Sequence, residues 1–165
     1  MTPERQKVLL HLLEHNAKLS PQTVTAMLED EDLETVERTI RELEDTGIIR
    51  GYSAIVNWDR VESDRITAII EVKVTPQRGV GFDEVARRIY RFPEVQAVQL
   101  LSGSYDLQVV VVGRRIQEVA RFVSERLATI DFIQSTTTHF ILKTYKVDGV
   151  VLEDGDDDQR LVITP

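Results

Sequence analysis

The sequence predicts an α+β chain built in two parts, and three observations carry that reading. Residues 1–47 space their apolar side chains only at helical intervals, interrupted by two proline-led helix starts. At Gly47 the period changes. From residue 66 onward the pattern runs strand, helix, strand, strand, helix, strand, which is the order of a ferredoxin-like βαββαβ domain.

In the first part, Thr2-Pro3-Glu4 reads as a helix start, with Thr2 as N-cap and Pro3 at the first helical position. Val8, Leu9, Leu12 and Leu13 follow at helical spacing, and the pattern ends near Asn16. Ser20-Pro21 repeats the signal, with Val24, Met27 and Leu28 as the inward face. Glu29-Asp30-Glu31-Asp32 is too charged for a core and makes a turn. Asp32 then caps a third helix with Leu33, Val36, Ile40 and Leu43 in one stripe, ended at Thr46-Gly47 by a glycine suited to a left-handed helix end. Three short helices, the last two joined by a tight turn, predict a helix-turn-helix, and Ile48–Val56 reads as its strand or wing.

Asn57–Arg65 is polar apart from Trp58 and Val61 and reads as a linker. Strands are expected at Ile66–Thr75, Val95–Leu101, Tyr105–Val112 and, as a long last strand, Ile133–Tyr145. Helices are expected at Phe82–Tyr90 and at Ile116–Leu127, the latter turning Ile116, Val119, Ala120, Val123 and Leu127 inward. Gly149–Leu152 and Arg160–Ile163 flank an Asp/Gly-rich stretch and predict a terminal hairpin. The expected division is a winged helix-turn-helix at 1–56, a linker at 57–65, a ferredoxin-like domain at 66–147 and a hairpin extension at 148–165.

Composition narrows the function. The chain has no cysteine, so disulfides, thiolate metal sites and cysteine nucleophiles are excluded together. No apolar run approaches the ~20 residues of a membrane-spanning helix, which points to a cytoplasmic protein without a membrane partner. His11 and His15 are four apart on the first helix, but no third ligand is evident, so no metal is expected. Phosphate-cradling glycine loops and nucleophile elbows are absent too; neither a cofactor nor an enzyme is indicated.

On the third helix, Arg38 points ~180° away from the Val36/Ile40 stripe at 100° per residue. Arg38 and Arg41 can reach guanine edges or phosphates there, and Thr35 a phosphate or a thymine methyl. The alternative is a solvated, self-paired helix face. The net charge of −8 supports the alternative: residues 1–60 carry 7 Lys/Arg against 12 Asp/Glu.

Thr35-Val36-Glu37-Arg38-Thr39-Ile40-Arg41-Glu42-Leu43-Glu44, followed by Gly47-Ile48-Ile49-Arg50-Gly51-Tyr52, resembles the recognition helix and wing of the Lrp/AsnC (feast/famine) regulators. Ser102-Gly103-Ser104-Tyr105-Asp106 resembles that family's Gly-x-Tyr/Phe-Asp turn. Ile133–Leu142 resembles its final strand, with Thr136 and Thr138 matching the paired threonines. The resemblance spans about residues 4–146.

It implies a ligand-responsive transcriptional regulator that binds double-stranded DNA, with DNA contacts at Thr35, Arg38, Thr39, Arg41 and Arg50. Its RAM-type domain is implied to bind a small effector, an amino acid, near Gly103, Ser104, Tyr105, Asp106, Thr136 and Thr138. Homodimers assembling into higher oligomers are implied as well. Physically, Gly103 permits a tight turn, Asp106 offers a carboxylate to an ammonium group, and the two threonines share a strand face. Asp106 can equally serve as a cap for the turn. The acidic, glycine-free turn Glu29–Asp32 departs from the family pattern and motivates an alternative function: an oligomeric small-molecule sensor whose degenerate head acts through protein contacts.

Overall fold

The computed structural model describes residues 1–61, 64–75 and 81–153, and the chain divides into two compact units, Met1–Val56 and Asn57–Pro165.

In the first unit, α1 (Pro3–His15) starts where Thr2 accepts the Arg5 N–H. Helix α2 (Pro21–Leu28) starts where Ser20 Oγ accepts the Thr23 N–H at 3.2 Å, and α3 (Leu33–Asp45) where Asp32 accepts the Thr35 N–H at 2.8 Å. Each cap satisfies a donor that the first helical turn leaves orphaned. Leu9, Leu13, Val24, Leu28, Val36 and Leu43 form the core. Fully burying such a side chain contributes about 1.5–3 kcal/mol. Gly47 turns the chain at φ 72°, so that the Ile49 N–H reaches the Leu43 carbonyl at 2.9 Å and Ile49 closes the core edge.

Residues 48–56 do not form the expected strand. A strand needs a partner edge, and the first unit, being otherwise helical, offers none. Ile48, Tyr52, Ile55 and Val56 stay exposed there.

The second unit opens with a 3-10 turn, Trp58–Arg60, within the stretch read as linker; the Arg65 guanidinium lies 4.2 Å over the Trp58 ring. Strands β1 (Ile66–Val74), β2 (Val95–Leu100), β3 (Leu107–Gly113) and β4 (Ile133–Phe140) form an antiparallel sheet ordered β2-β3-β1-β4. Helix α4 (Phe82–Ile89) connects β1 to β2, and α5 (Ile116–Phe122) leads from β3 toward β4. Two β-α-β units thus interleave, as a ferredoxin-like fold requires. Ala68, Ile70, Val72, Val74, Leu107, Val109 and Val111 are buried on one sheet face with Val85, Ile89, Val119, Phe122 and Leu127 from the helical segments.

Three element boundaries depart from the sequence reading. Beyond α5, Val123–Leu127 is one wide turn, closed by an Ala128 N–H to Val123 carbonyl bond of 2.8 Å across five residues. Such a turn inserts an extra residue and shifts the helix phase. Leu127 therefore joins Val119 and Phe122 in the buried set, while Ile116 and Ala120, which precede the turn, face solvent. The last strand stops at Phe140 rather than Tyr145. Finally, β5 (Lys146–Val147) and β6 (Val150–Val151) pair around Asp148 (φ 45°) and Gly149 (φ 83°). Asp-Gly with both φ positive is the favoured two-residue hairpin turn. The Asp/Gly-rich turn expected after Glu153 and the strand Arg160–Ile163 lie outside the described residues.

Candidate functional site

The outer face of α3 carries Glu34, Arg38, Arg41 and Asp45, all exposed. Arg38 Nε is 3.9 Å from Glu42 Oε1, and Arg41 Nη2 is 3.7 Å from Glu37 Oε2, both pairs one turn apart. The Arg41 Nε–H also donates to the Glu37 carbonyl at 3.3 Å. Exposed pairs of this kind hold a side chain with less than about 1 kcal/mol. Arg50 is exposed as well, and its guanidinium folds across Gly47, where an added Cβ would meet its Cζ at 3.3 Å.

Of the two threonines of α3, Thr39 departs from the sequence reading and Thr35 serves the helix cap. Thr39 is 2% exposed and its hydroxyl donates to the Thr35 carbonyl at 2.8 Å, so it belongs to the core and presents nothing to DNA. Thr35 is half-buried, with its hydroxyl donated to Asp32 Oδ2 at 2.9 Å as part of the cap. Those bonds from Thr35, backbone first and hydroxyl second, hold the Asp32 carboxyl below the usual carboxylate range. Tyr52 donates its hydroxyl to Glu44 Oε1 at 2.8 Å; desolvation, and then that bond, raise its pKa above the ordinary tyrosine value.

At the sensor turn, Asp106 is already engaged. The β1–β3 register ends at Val72 opposite Leu107, and the Asp106 carboxylate takes over the next position, its Oδ2 accepting the Val74 N–H at 2.8 Å. The Asp106 N–H donates to the Val72 carbonyl at 3.0 Å. Lys73 Nζ lies 3.6 Å from Asp106 Oδ1 and donates to the Ser104 carbonyl at 3.1 Å. Asp106 thus caps the turn in this chain, with Oδ2 closing the strand end and Oδ1 facing an ammonium. The half-buried Tyr105 hydroxyl donates to Gln108 Oε1 at 3.4 Å. Gly103 is not a strained position: its φ is not positive, and an added Cβ would meet nothing within 4 Å.

Thr136 pairs with Val72 and Thr138 with Ile70. Directly opposed side chains point the same way, so both threonines lie half-buried on the helix-covered side of the sheet. The other side carries Thr137, beside Glu71, and His139, whose Nε2 is 3.4 Å from Glu71 Oε1. Lys73 was not legible as a site residue: only the pairing of β1 with β3 places it at the turn.

A profile of the Lrp/AsnC ligand binding domain matches residues 67–151, from the start of β1 to the end of β6. The chain belongs to the Lrp/AsnC family. The uncharacterized HTH-type transcriptional regulator YugG of Bacillus subtilis (strain 168) is 50% identical over 163 residues, covering 98% of each chain. The crystal structure of the Mycobacterium tuberculosis leucine response regulatory protein LrpA matches at TM-score 0.74 and 18% identity, over 92% of this chain and all of that one. A Neisseria meningitidis transcriptional regulator, solved as an L-Met complex, matches at TM-score 0.68 and 21% identity, over 89% and 94%. These two share the Lrp/AsnC fold with the present chain, and the first relative matches half of its residues over nearly the full length of both.

Proposed function

We propose that this Lrp/AsnC-family chain is a ligand-responsive transcriptional regulator that binds duplex DNA as a cytoplasmic oligomer. The observation that carries the reading is the outer face of α3. Arg38 and Arg41 stand exposed on the second helix of the helix-turn-helix, each tied, among the described residues, by weak pairing within its own helix. Phosphate or guanine can displace such a tie, because a charge-assisted contact at a groove is stronger than an exposed ion pair. A small effector, of which an amino acid is the class favoured by the L-Met complex of the Neisseria relative, would act on the second unit. It can shift the regulator only by binding one oligomeric arrangement better than another. Catalysis has no part in this reading.

Oligomerisation would join two acidic heads in one particle, and effective concentration then offsets weak binding by each. The exposed Ile48–Val56 segment would find its missing edge in a second copy. The open sheet face, with Ile69, Val110 and Val112 half-exposed, would find its cover there as well.

The test is fluorescence anisotropy with the intact chain and a pool of genomic duplexes, at low and moderate salt. Selective binding that weakens with salt and falls to background in Arg38→Ala/Arg41→Ala is the expected result. The acidic turn and the −5 balance of residues 1–60 favour a second reading, a sensor whose head acts through protein contacts. Flat curves at low salt, with the oligomer intact and with or without amino acids, would decide for that reading.

A further inference from the structure

A cleft of about 420 Å³ opens between the end of β3, α5 and Glu94. Strand β3 runs seven residues from the sensor turn to this cleft, so the two lie about 20 Å apart at opposite ends of the sheet. Its floor is apolar, from Val111, Val119 and Phe122. Its walls carry the guanidiniums of Arg115, Arg121 and Arg126 and the carboxylates of Glu94, Glu118 and Glu125.

Most of these charges already have partners. Arg126 Nη1 donates to Glu94 Oε1 at 2.7 Å, Arg121 Nε lies 4.0 Å from Glu125 Oε1, and Glu118 Oε2 accepts the Arg114 N–H at 2.9 Å. Two groups are left over. The exposed Arg115 guanidinium has no hydrogen bond or ion pair among the described residues. Glu94 Oε2 is shut off from solvent and has no hydrogen-bond partner among the described residues. An ionised oxygen in that position is costly until a donor reaches it. The terminal torsion of a glutamate is soft, so the carboxylate can turn an oxygen toward the cleft while its neighbour keeps Arg126.

An anion alone would satisfy Arg115 and leave Glu94 unmet, and a cation alone would do the reverse. A molecule with both ends satisfies both, and a short apolar tail suits the floor. We propose that this cleft is a second small-molecule site, taking a zwitterion that carries an ammonium, a carboxylate and a short aliphatic chain. Its volume is ordinary for a small-molecule site. The proposal does not depend on whether the sensor turn binds an effector.

Three probes test it on the intact chain by thermal shift and calorimetry: L-norvaline, pentanoate (no ammonium) and butylamine (no carboxylate). L-Norvaline is expected to raise the unfolding midpoint while the other two do not. Its dissociation constant should weaken roughly tenfold or more in Arg115→Ala and in Glu94→Gln, each removing a charge-assisted contact. Arg115 has no partner among the described residues, so its variant keeps the test valid should Glu94→Gln destabilise the chain. No response to L-norvaline, an equal response to pentanoate, or a response unchanged in Arg115→Ala overturns the proposal. If that unchanged response disappears in Asp106→Asn, it belongs to the sensor turn and the cleft is empty of function.

Discussion

Thr35 and Thr39 lie one helical turn apart on α3, and one shields a hydroxyl in the core while the other spends its hydroxyl on a cap. Side-chain chemistry suggests Thr35 as a DNA contact and the resemblance implies Thr39; burial takes Thr39 into the core, and the cap engages the Thr35 hydroxyl. Arg38 and Arg41 needed only the helical period to be placed outward, which is why they were legible in the sequence and the threonines were not. Asp32 gives the residue-scale prediction. Its folded pKa is depressed by the Thr35 bonds, so its stabilisation is fully present above the ordinary carboxylate value of about 4 and is lost as pH falls through the folded value. Asn caps a helix comparably but has no such proton equilibrium. Asp32→Asn should therefore melt close to wild type near neutral pH and gain on it as the pH drops below about 4. A gap between the two melting curves that stays constant with pH would remove Asp32 as a titrating cap.

Elements were legible wherever one period held throughout. The βαββαβ order and all three helix caps of the head could be read from local pattern, because alternation and capping are short-range. Features that break a single local period, or depend on a distant partner, were hidden: the wide turn at Val123–Leu127, the early end of β4 and the bond that ties Asp106 to β1. Asp106 was legible as the end of its turn motif, but its bond from the Val74 N–H exists because β1 ends beside it. Replacing it with Ala would leave the part-buried Val74 N–H without an acceptor and Lys73 without its carboxylate. Asp106→Ala should lower stability by about 1–3 kcal/mol, and Asp106→Asn, which keeps an acceptor oxygen, by less. Urea unfolding of the intact chain measures both. Equal losses would show that charge, and not the strand-closing hydrogen bond, is what Asp106 contributes.

For the whole molecule, the question is what the sheet's uncovered face meets. Helices cover only one side, and on the other Val110 sits between Ile69 of β1 and Ala97 of β2, half-buried at mid-sheet. An antiparallel sheet tolerates one solvated face when that face is polar. Here Gln99, Gln108, Glu71 and Lys73 border the apolar patch of Ile69, Val110 and Ala97 at one end, a wet edge beside a middle that is buried once two copies meet. A carboxylate at the centre costs little in a single solvated chain and a great deal in a dry interface. Val110→Glu should therefore sediment as a smaller species with its circular dichroism preserved. Its DNA affinity should fall roughly 10²-fold or more, because the second head is no longer delivered by the first. If the variant sediments as wild type does, the open face is not the contact between copies, and the linkage of two acidic heads must be sought at the Ile48–Val56 segment.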